Sequence, residues 1–446
     1  MKLIFKKILA QTLKAESKLA LLRYKPKVIA ITGSLGKTST KDAVYAVLSK
    51  IAYVRKSEKS FNSELGLPLT VLGLPNGWNN PAVWIKNILK GLWLIIYPHK
   101  YPEWLILEVG IGKPNDMKET ASWLNTDAVI MTAIGETPVH IEFFTSRKHL
   151  IEEKSQLIKT LKPSGLLVLN ADDEAVLEMK SKTKCLVITY GFKEGANILG
   201  SGESISYNEK GIPEGVVFRV DEGGKSLPVV IEGVFGRNHV YASLAALALS
   251  SGLKFNMVEA ALALKNYDVP PGRMRILPGI KESLIIDDTY NSSPFACESA
   301  LKTLGEVFPE GSPRGRKIAI LGDMLELGKH TIEAHKNIGK LAKEILNNPG
   351  DTLIVVGPRA KSIKEGALEI HPSSGGLGMN PGSILEFLNS REAGNFMKTF
   401  IRKGDIVLVK GSQGTRMERT VEAILKDGAD KSSLLVRQDP EWLRKE

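Results

Sequence analysis

With 446 residues, the sequence is long enough for two or three domains, and its 43% hydrophobic and 24% charged residues are typical of a globular protein. The two cysteines, Cys185 and Cys297, exclude a disulfide framework and offer no metal-ligand spacing, which fits a reducing cytosol. The formal net charge of +11 is compatible with an anionic partner, but no basic run is interleaved with aromatic residues, so nucleic-acid binding is not indicated.

The first predicted element is a basic helix within residues 1–26. Phe5, Leu9 and Leu13 recur every four residues, with Ile4 and Ile8 beside them, and this spacing predicts an amphipathic helix. Lysines interrupt the apolar residues, so the segment does not have the apolar run of a signal peptide. Such a helix either packs on its own domain or lies on an anionic membrane surface.

The stretch VIAITGSLGKTSTKDAV, residues 28–44, predicts a strand, a glycine-rich turn and a helix. Gly36, Lys37 and Thr38 fit the end of the P-loop pattern G-x-x-x-x-G-K-[ST]. The first glycine of that pattern falls on Ile31, and the nearest glycine is Gly33, so we interpret the loop as a shorter variant. Its N–H groups would hold phosphates, Lys37 would neutralise them and Thr38 would bind Mg²⁺. The predicted nucleotide contacts in this loop are Gly33, Ser34, Gly36, Lys37, Thr38 and Ser39.

A second apolar segment, residues 81–104, is rich in tryptophan. Lys86 and Lys90 interrupt it, and its uninterrupted run is far below the ~20 residues that are needed to cross a bilayer. We therefore expect a buried or interfacial helix, and this segment is a second candidate for contact with a membrane surface.

Short apolar runs that end in small or polar residues recur along the first half of the chain, at 104–110, 127–135 and 165–173. They predict buried parallel strands, whose carboxyl ends are where such sheets bind ligands. Glu108 ends one run, and a buried carboxylate is costly unless it is paired or bound to a metal. We interpret Glu108 as a Mg²⁺ ligand; the alternative is a structural carboxylate that caps the next turn. His140 and Lys154, each unremarkable alone, become candidates for the same site.

Antiparallel strands are predicted over about 190–235, followed by a helix that ends near Gly252. Pro270, Pro271 and Gly272 mark a domain junction, and strand and helix patterns alternate again beyond it. We predict an α/β protein with a helix at 1–26, a P-loop-type ATPase domain with a mostly parallel sheet at 27–268, and a Rossmann-like α/β domain at 269–446.

Polar residues follow three predicted strands of the last domain. They predict a ligand crevice, although ordinary turn chemistry would explain each of them singly. These residues are Asp287, Asp288, Tyr290, Asn291, Asp323, Glu326, Lys410 and Ser412.

The motifs TGSLGKTSTKD, FNSELGLPLTVL, LEVG, HIEFF, EEKSQL, PPGRMRI, DDTYNSSP, LGDMLELG and KGSQGTRMERTVEAI occur in the order typical of the Mur ligases. The chain resembles this family over roughly residues 27–427, and DDTYNSSP and LGDMLELG are most similar to its members that add D-alanyl-D-alanine. The resemblance implies an ATP-dependent amide ligase. In such an enzyme ATP converts a carboxylate into an acyl phosphate, and an amine then displaces the phosphate.

The resemblance also implies roles for single residues. Thr38, Glu108, His140 and Lys154 would surround Mg²⁺, and Lys37, His140 and Lys154 would act in catalysis. Lys154 matches a lysine that is carbamylated in several family members, which would make this side chain anionic. Further matches to nucleotide contacts are Asn238, His239, Arg273, Asp288 and Tyr290, and Lys410 and Ser412 resemble residues that face the catalytic cleft.

The sequence departs from the family pattern in three places. The stretch that contacts adenine usually reads G-R-H-N-V-x-N, whereas here Asn238 and His239 have exchanged places and Ala242 replaces the last Asn. The usual Asn-Asn pair is Asn62-Ser63. The family usually has an N-terminal domain that holds the UDP-sugar end of the substrate, and we expect this domain to be missing.

We therefore predict a cytoplasmic enzyme of peptidoglycan precursor synthesis that uses ATP and Mg²⁺. Its expected substrates are UDP-N-acetylmuramoyl-tripeptide and D-Ala-D-Ala, and we expect it to act as a monomer without nucleic acid. Membrane contact through 1–26 or 81–104 would place it at the inner face of the membrane. The alternative is a Mur-type amide ligase with another acceptor, such as a different cell-wall peptide, a poly-amino acid or a folate-type substrate.

Overall fold

The computed structural model describes residues 2–58, 61–135, 143–265, 267–308, 315–369 and 383–444, with side chains from Lys6 onwards. Its strands are β1 (Lys27–Thr32), β2 (Val54–Lys56), β3 (Trp104–Glu108), β4 (Thr126–Met131), β5 (Leu161–Asn170), β6 (Leu186–Gly191), β7 (Ile198–Tyr207), β8 (Pro213–Glu222), β9 (Lys225–Glu232), β10 (Arg275–Pro278), β11 (Leu284–Asp288), β12 (Lys317–Gly322), β13 (Thr352–Val356), β14 (Ile384–Phe387) and β15 (Ile406–Lys410).

The helices are α1 (Lys2–Tyr24), α2 (Lys37–Leu48), α3 (Gly66–Leu72), α4 (Pro81–Ile96), α5 (Asp116–Ala121), α6 (Arg147–Ser155), α7 (Glu174–Leu177), α8 (Arg237–Gly252), α9 (Met257–Leu264), α10 (Pro294–Glu306), α11 (Thr331–Ile345), α12 (Lys361–Leu368), α13 (Ser390–Phe400), α14 (Glu418–Ile424), α15 (Lys431–Leu434) and α16 (Pro440–Leu443). The chain forms two compact units. One comprises Met1–Glu203, Val217–Val230 and Asn238–Asp268, and the other comprises Ser204–Val216, Ile231–Arg237 and Val269–Glu446. The domain limits that we predicted from the sequence stay a prediction.

The first sheet has the order β2-β3-β1-β4-β5-β6-β7-β8-β9, and neighbouring strands from β2 to β7 run parallel. Strands β2 and β3, which follow β1 in the sequence, lie on one side of β1 in the sheet. The next strand, β4, lies on the other side of β1. This reversal creates a crevice beyond the carboxyl ends of β1 and β4, where open parallel sheets bind ligands. The predicted mostly parallel sheet of this domain is thereby confirmed.

Strand β1 is buried on both faces. Val28 and Ala30 pack in a core that includes Leu105 and Val129, whereas the intervening side chains project to the opposite face and are also fully buried. A strand that is buried on both faces needs a continuous apolar run rather than an alternating one, which is why the sequence signal for β1 was strong.

The strands after β6 form the outer part of this sheet. Only Gly223 and Gly224 separate β8 from its sheet neighbour β9, a connection that antiparallel strands alone allow. Both glycines have positive φ, 53° and 80°, as a tight hairpin turn requires. Helix α8 follows and is buried along most of its length, so the predicted helix that ends at Gly252 is confirmed.

The second unit contains a smaller sheet with the order β10-β11-β15-β12-β13-β14. Its strands run parallel except for β10, which pairs antiparallel with β11 at one edge. Apolar side chains from β11, β12, β13 and β15 pack with helices α13 and α14. The predicted Rossmann-like arrangement of an open sheet with helices is confirmed.

Helices α1 and α4 pack together at one side of the first unit. Leu9 and Leu13 of α1 are buried with Trp84 of α4 and with side chains of α3, so α1 packs on its own domain, one of the two alternatives for this segment. Ile8, which we placed next to the apolar face, is instead 57% exposed. Among the described residues, none of the helices is both long enough and apolar enough to traverse a bilayer.

Candidate active site

The loop from Gly33 to Gly36 joins β1 to α2 at the carboxyl edge of the first sheet. Gly36 has φ 79° and ψ −3°, a left-handed conformation that an L-residue adopts only with strain, and α2 begins at the next residue. The N–H groups of Ser34 and Leu35 donate to the carbonyl oxygen of Ala133 over 2.8 and 3.0 Å. The loop is therefore fixed to the end of β4 and holds the N-terminus of α2 in the crevice, where it can bind a phosphate.

Gly33 must be glycine for a steric reason. A Cβ atom at this position would lie 1.9 Å from Oγ1 of Thr132, a distance that no side chain can occupy. The Thr132 hydroxyl in turn donates to the carbonyl oxygen of Leu35 over 2.6 Å. The shorter loop of this sequence therefore packs directly against the end of β4.

Lys37 and Lys154 meet at the same loop. Nζ of Lys37 donates to the carbonyl oxygen of Gly33 over 3.0 Å, and Nζ of Lys154 donates to that oxygen over 2.8 Å. Lys154 is buried, and burial followed by the nearby charge of Lys37 holds its pKa well below the ordinary value for lysine. The structure thus brings these two predicted site residues together, although they are far apart in sequence.

Two side-chain contacts fix helix α6, which carries Lys154. Ser146 caps its N-terminus by accepting a hydrogen bond from the N–H of His149 over 3.1 Å. Near its other end, Oε1 of Glu153 accepts a hydrogen bond from the N–H of Met117 over 2.8 Å. Glu153 precedes Lys154, so this contact orients the turn of helix that directs the lysine to the loop.

Glu108 is the last residue of β3 and lies beside the phosphate loop, because its Cα pairs with that of Ile31 in β1. The carboxylate is 1% exposed, and Oε1 accepts a hydrogen bond from Nδ2 of Asn62 over 3.1 Å. Oε2 is buried without a hydrogen bond in the described part of the structure. The Lys41 ammonium compensates part of the charge on this oxygen, and because a buried carboxylate oxygen without a hydrogen bond is costly, this atom also suits a bound cation.

The donor set near Glu108 fits Mg²⁺, which prefers carboxylate and hydroxyl oxygens. Thr38 is buried in the first turn of α2, the position from which P-loop hydroxyls bind the metal. His140 lies outside the described residues, within the gap at 136–142. Over the described ranges, no three His, Cys, Asp or Glu side chains group closely enough to hold a metal ion. The metal role of Thr38, Glu108, His140 and Lys154 stays a prediction.

Glu108 belongs to a cluster of buried charged side chains. Nζ of Lys41, in α2, lies 3.7 Å from Oε2 of Glu108 and 3.9 Å from Oδ1 of Asp42. Lys56 contacts the same oxygen of Asp42 at 2.7 Å. Burial raises the pKa of Asp42 above its ordinary value, although both lysines oppose this shift. We did not single out Lys41 from the sequence; its signal is a position one helical turn after Lys37.

Asp173 fixes the chain that leads into the undescribed segment 136–142. Its Oδ2 accepts hydrogen bonds from the N–H groups of Ile134 and Gly135 over 2.7 and 2.9 Å. Nε of Arg147 donates to the carbonyl oxygen of Gly135 from the other side of that segment. We did not single out Asp173 from the sequence, although it is the last residue of the apolar run at 165–173, whose end we expected to be functional.

The predicted adenine-contacting stretch forms the start of α8. Asn238 is half-buried, whereas His239 is buried and forms a hydrogen bond through Nδ1 with the hydroxyl of Tyr267. Tyr241 donates from its hydroxyl to Oδ2 of Asp172 over 2.7 Å. Nucleotide contact by Asn238 and His239 stays a prediction.

In the second unit, the polar ends of β11 and β15 lie side by side. Nζ of Lys410 lies 2.5 Å from Oδ2 of Asp288 and donates to the carbonyl oxygen of Asn291 over 3.0 Å. The guanidinium carbon of Arg273 lies 4.1 Å from the ring centre of Tyr290. The sequence placed these side chains at separate strand ends and at the domain junction. In the structure they form two pairs within one unit, Asp288 with Lys410 and Arg273 with Tyr290.

Other polar strand ends of this unit serve its own turns. Oδ1 of Asp323 accepts hydrogen bonds from the N–H groups of Arg359 and Ala360 over 3.0 and 2.8 Å. Ser412 accepts from the N–H of Leu325 over 2.9 Å and donates to the carbonyl oxygen of Ser292. For Asp323, ordinary turn chemistry accounts for the contacts that the structure shows.

Two family models match the chain. The Mur ligase middle domain matches residues 31–250, and the Mur ligase glutamate ligase domain matches residues 272–413. A UDP-N-acetylmuramoyl-tripeptide–D-alanyl-D-alanine ligase of Bacillus subtilis (strain 168) is 28% identical over 402 residues, which cover 90% of this chain and 76% of that protein. A ligase of the same name from Mycobacterium tuberculosis (strain CDC 1551 / Oshkosh) is 29% identical over 411 residues, which cover 90% and 73%.

The fold is also similar to that of solved Mur ligases. The crystal structure of MurF ligase from Thermotoga maritima in complex with ADP aligns with a TM-score of 0.72 and 24% identity. The alignment covers 93% of this chain and 83% of that one. The likeness is therefore to a whole two-unit fold rather than to the phosphate loop alone.

Proposed function

This chain belongs to the Mur ligase family, and we propose that it uses ATP to join D-alanyl-D-alanine to UDP-N-acetylmuramoyl-tripeptide. The observation that carries the proposal is the meeting of Lys37 and Lys154 at the Gly33 carbonyl, at the sheet edge where Glu108 has a buried carboxylate oxygen without a hydrogen bond among the described residues. Transfer of a phosphoryl group requires a cation such as Lys37, and metal ligands such as Glu108 and Lys154, around its charged oxygens. The names of the relatives supply the substrates.

In the proposed reaction, a carboxylate of the first substrate takes the γ-phosphoryl group of ATP, and ADP leaves. The amine of the second substrate then attacks the acyl phosphate, loses a proton and displaces phosphate, which leaves an amide. The Gly33–Gly36 loop and the N-terminus of α2 would bind the phosphates, with Lys37 neutralising their charge. Glu108 and Thr38, together with the predicted ligands His140 and Lys154, would hold Mg²⁺, whose chemistry when bound would be to neutralise charge on the transferred group.

Arg273, Asp288 and Tyr290 stay proposed nucleotide contacts. We propose that the enzyme acts as a monomer in the cytoplasm, where membrane contact through 1–26 or 81–104 would place it at the inner face of the membrane. Its two cysteines are free, as is usual in a reducing compartment.

The test is phosphate release from ATP and Mg²⁺, with product mass determined in parallel. Release that requires both UDP-N-acetylmuramoyl-tripeptide and D-Ala-D-Ala, with an amide product of the summed mass, would support the proposal. If the protein binds ATP but needs another carboxylate and amine for release, it is a Mur-type ligase with a different acceptor. Release that needs neither substrate would contradict the ligase reaction itself. Lys37→Met protein serves as the control for contaminating ATPases.

A further inference from the structure

Helix α4 has an apolar surface that the ligase reaction does not use. Its inner side, with Trp84, Asn87 and Gly91, is buried against α1 and α3. Its outer side carries large apolar residues that are between 42% and 63% exposed. This outer side, called the α4 face below, consists of Ile85, Leu89, Leu92, Trp93, Ile96 and Tyr97.

The α4 face is a continuous stripe. Its five helical residues, from Ile85 to Ile96, follow the spacing i, i+4, i+7, i+8 and i+11, so they lie on one side of the helix along about 16 Å of its length, and Tyr97 directly follows the helix. Monomeric proteins seldom leave a contiguous apolar patch in water unless it contacts something. We therefore expect the α4 face to contact another molecule.

The orientation of α4 is fixed by hydrogen bonds on its inner side. Nδ2 of Asn87 donates to the carbonyl oxygen of Pro75 over 2.8 Å, and the hydroxyl of Tyr24 donates to the carbonyl oxygen of Leu94 over 2.8 Å. The helix cannot rotate to bury its outer side without breaking these contacts. The exposed stripe is thus a stable feature of the first unit.

The segment that carries the α4 face has side-chain charges of one sign. The sequence contains no Asp or Glu from residue 65 to residue 102, whereas Lys86, Lys90 and Lys100 are exposed there. Lys86 and Lys90 directly follow Ile85 and Leu89, so they flank the apolar stripe along the helix. This arrangement of an apolar face bordered by lysines matches helices that lie in the boundary between lipid headgroups and acyl chains.

Aromatic residues stand at the C-terminal end of the same face. The ring centres of Trp93 and Tyr97 are 4.0 Å apart, and Nε1 of Trp93 donates to Nε2 of His99 over 3.0 Å. Rings with an apolar body and a polar edge are enriched where a protein meets the lipid–water interface.

We propose that the α4 face docks this protein on an anionic lipid surface. Lipid supplies both parts that the face needs, acyl chains for the apolar stripe and negative headgroups for the lysines. A second copy of the chain fits less well. In a symmetric contact, Lys86 and Lys90 would approach the same lysines of the other copy without an acidic partner from this segment. Of the two segments that the sequence suggested for membrane contact, 1–26 and 81–104, the proposal selects the second, and within it the outer side of α4.

The test is sedimentation of the full chain with vesicles of phosphatidylcholine, alone or mixed with phosphatidylglycerol. We expect binding to the mixed vesicles that weakens as salt is added and is much weaker without phosphatidylglycerol. The Leu89→Ser/Trp93→Ser variant should bind at least about tenfold more weakly, and so should Lys86→Gln/Lys90→Gln. Leu262→Ser is the matched control, because Leu262 is an equally exposed leucine of the same unit on helix α9.

Several results would overturn the proposal. Absence of binding to both vesicle types by folded protein would do so, as would equal binding by the α4 variants and wild type. Light scattering supplies a further check: a dimer that Leu89→Ser/Trp93→Ser converts to a monomer, with no vesicle binding by either, would assign the face to a second copy. Circular dichroism melting of every variant ensures that lost binding does not reflect lost folding.

Discussion

Nζ of Lys37 and Nζ of Lys154 donate to one acceptor, the carbonyl oxygen of Gly33, over 3.0 and 2.8 Å. Two ammonium groups so close repel each other, and burial of Lys154 adds the cost of removing its charge from water. Both effects lower the pKa of Lys154, burial being the larger. The site therefore favours a neutral amine at this position, and a neutral amine can react with CO₂ to give a carbamate and a proton.

We predict that Lys154 carries such a carbamate in solution. In ¹³C-labelled bicarbonate, wild-type protein should show a carbamate resonance that disappears in Lys154→Gln protein. Because protonation removes the reactive amine, the resonance should weaken as the pH falls through the lowered pKa of Lys154. Lys148→Gln provides a control on the same helix. A resonance that survives in Lys154→Gln would assign the carbamate to another lysine.

Lys37 should be needed for turnover. Lys37→Met removes the cation that faces the predicted phosphate site, so we expect the rate of ATP-dependent amide formation to fall by about 10²–10³-fold. Initial rates of phosphate release with both substrates measure this change. Lys50→Met, which alters an exposed lysine just beyond α2, should leave the rate unchanged. Near-normal turnover in Lys37→Met protein would contradict the phosphate-binding role of this loop.

Glu108 and Asn62 should affect the Mg²⁺ requirement to different degrees. Glu108→Gln removes the negative charge, and we expect the largest loss, both in turnover and in the apparent affinity for Mg²⁺. Asn62→Ala keeps the carboxylate but removes the amide that orients it, and loss of such a supporting contact typically lowers metal affinity by about 10–100-fold. Titration of activity with Mg²⁺ separates these effects.

The same pair of variants also tests the alternative that Glu108 is structural. A structural carboxylate predicts that Glu108→Gln lowers the melting temperature while the Mg²⁺ titration keeps its midpoint. A shifted midpoint with little change in melting temperature supports metal binding. Glu64→Gln, at an exposed position near Asn62, is the control.

Local sequence patterns predicted the strands and the loop that position the site. The phosphate loop, β1 and β3 each combine a short apolar run with a characteristic end, so their types follow from adjacent residues. The position of Glu108 at the loop could be expected because parallel strands end at one edge of the sheet. The register that pairs Glu108 with Ile31 makes that expectation specific.

Contacts between distant segments were not predictable in the same way. Lys154 reaches Gly33 across 121 positions of sequence, and no local pattern encodes that distance. The buried position of Lys41 beside Glu108 likewise depends on how α2 packs on β3. The motif resemblance suggested a role for Lys154, but only the fold shows which atom its ammonium contacts.

The Asp288–Lys410 pair should stabilise the second unit. Lys410 is 2% exposed and Asp288 13%, so removing one partner leaves a charge that is largely cut off from water. We expect Lys410→Met to destabilise the unit by about 3–5 kcal/mol. Lys410→Met/Asp288→Asn should recover part of this loss, since neither charge is then left alone. Urea unfolding of wild type, Lys410→Met, Asp288→Asn and the double variant completes the cycle, and strict additivity of the two single changes would show that the pair does not interact.

Glu16 should make the stability of the first unit depend on pH. Its side chain is buried where α1 meets α4, with both oxygens lacking a hydrogen bond among the described residues, and a Cβ on Gly91 would clash with its carboxylate. Burial raises the pKa of Glu16 from 4.5 to about 7. The folded protein therefore retains this proton at pH values where the unfolded chain has lost it. Stability should fall as the pH rises from about 4.5 through 7.

The variant that isolates this effect is Glu16→Gln, which cannot ionise. Its amide also lacks obvious partners, so its stability at pH 5 can lie on either side of the wild-type value. The informative quantity is the change between pH 5 and pH 8: wild type should lose more stability than Glu16→Gln over that range. Urea unfolding at both pH values measures it, with Glu194→Gln as the control for an exposed carboxylate. Equal losses in wild type and Glu16→Gln would mean that Glu16 is ionised in the fold at both pH values, so that water or a cation must reach the α1–α4 contact.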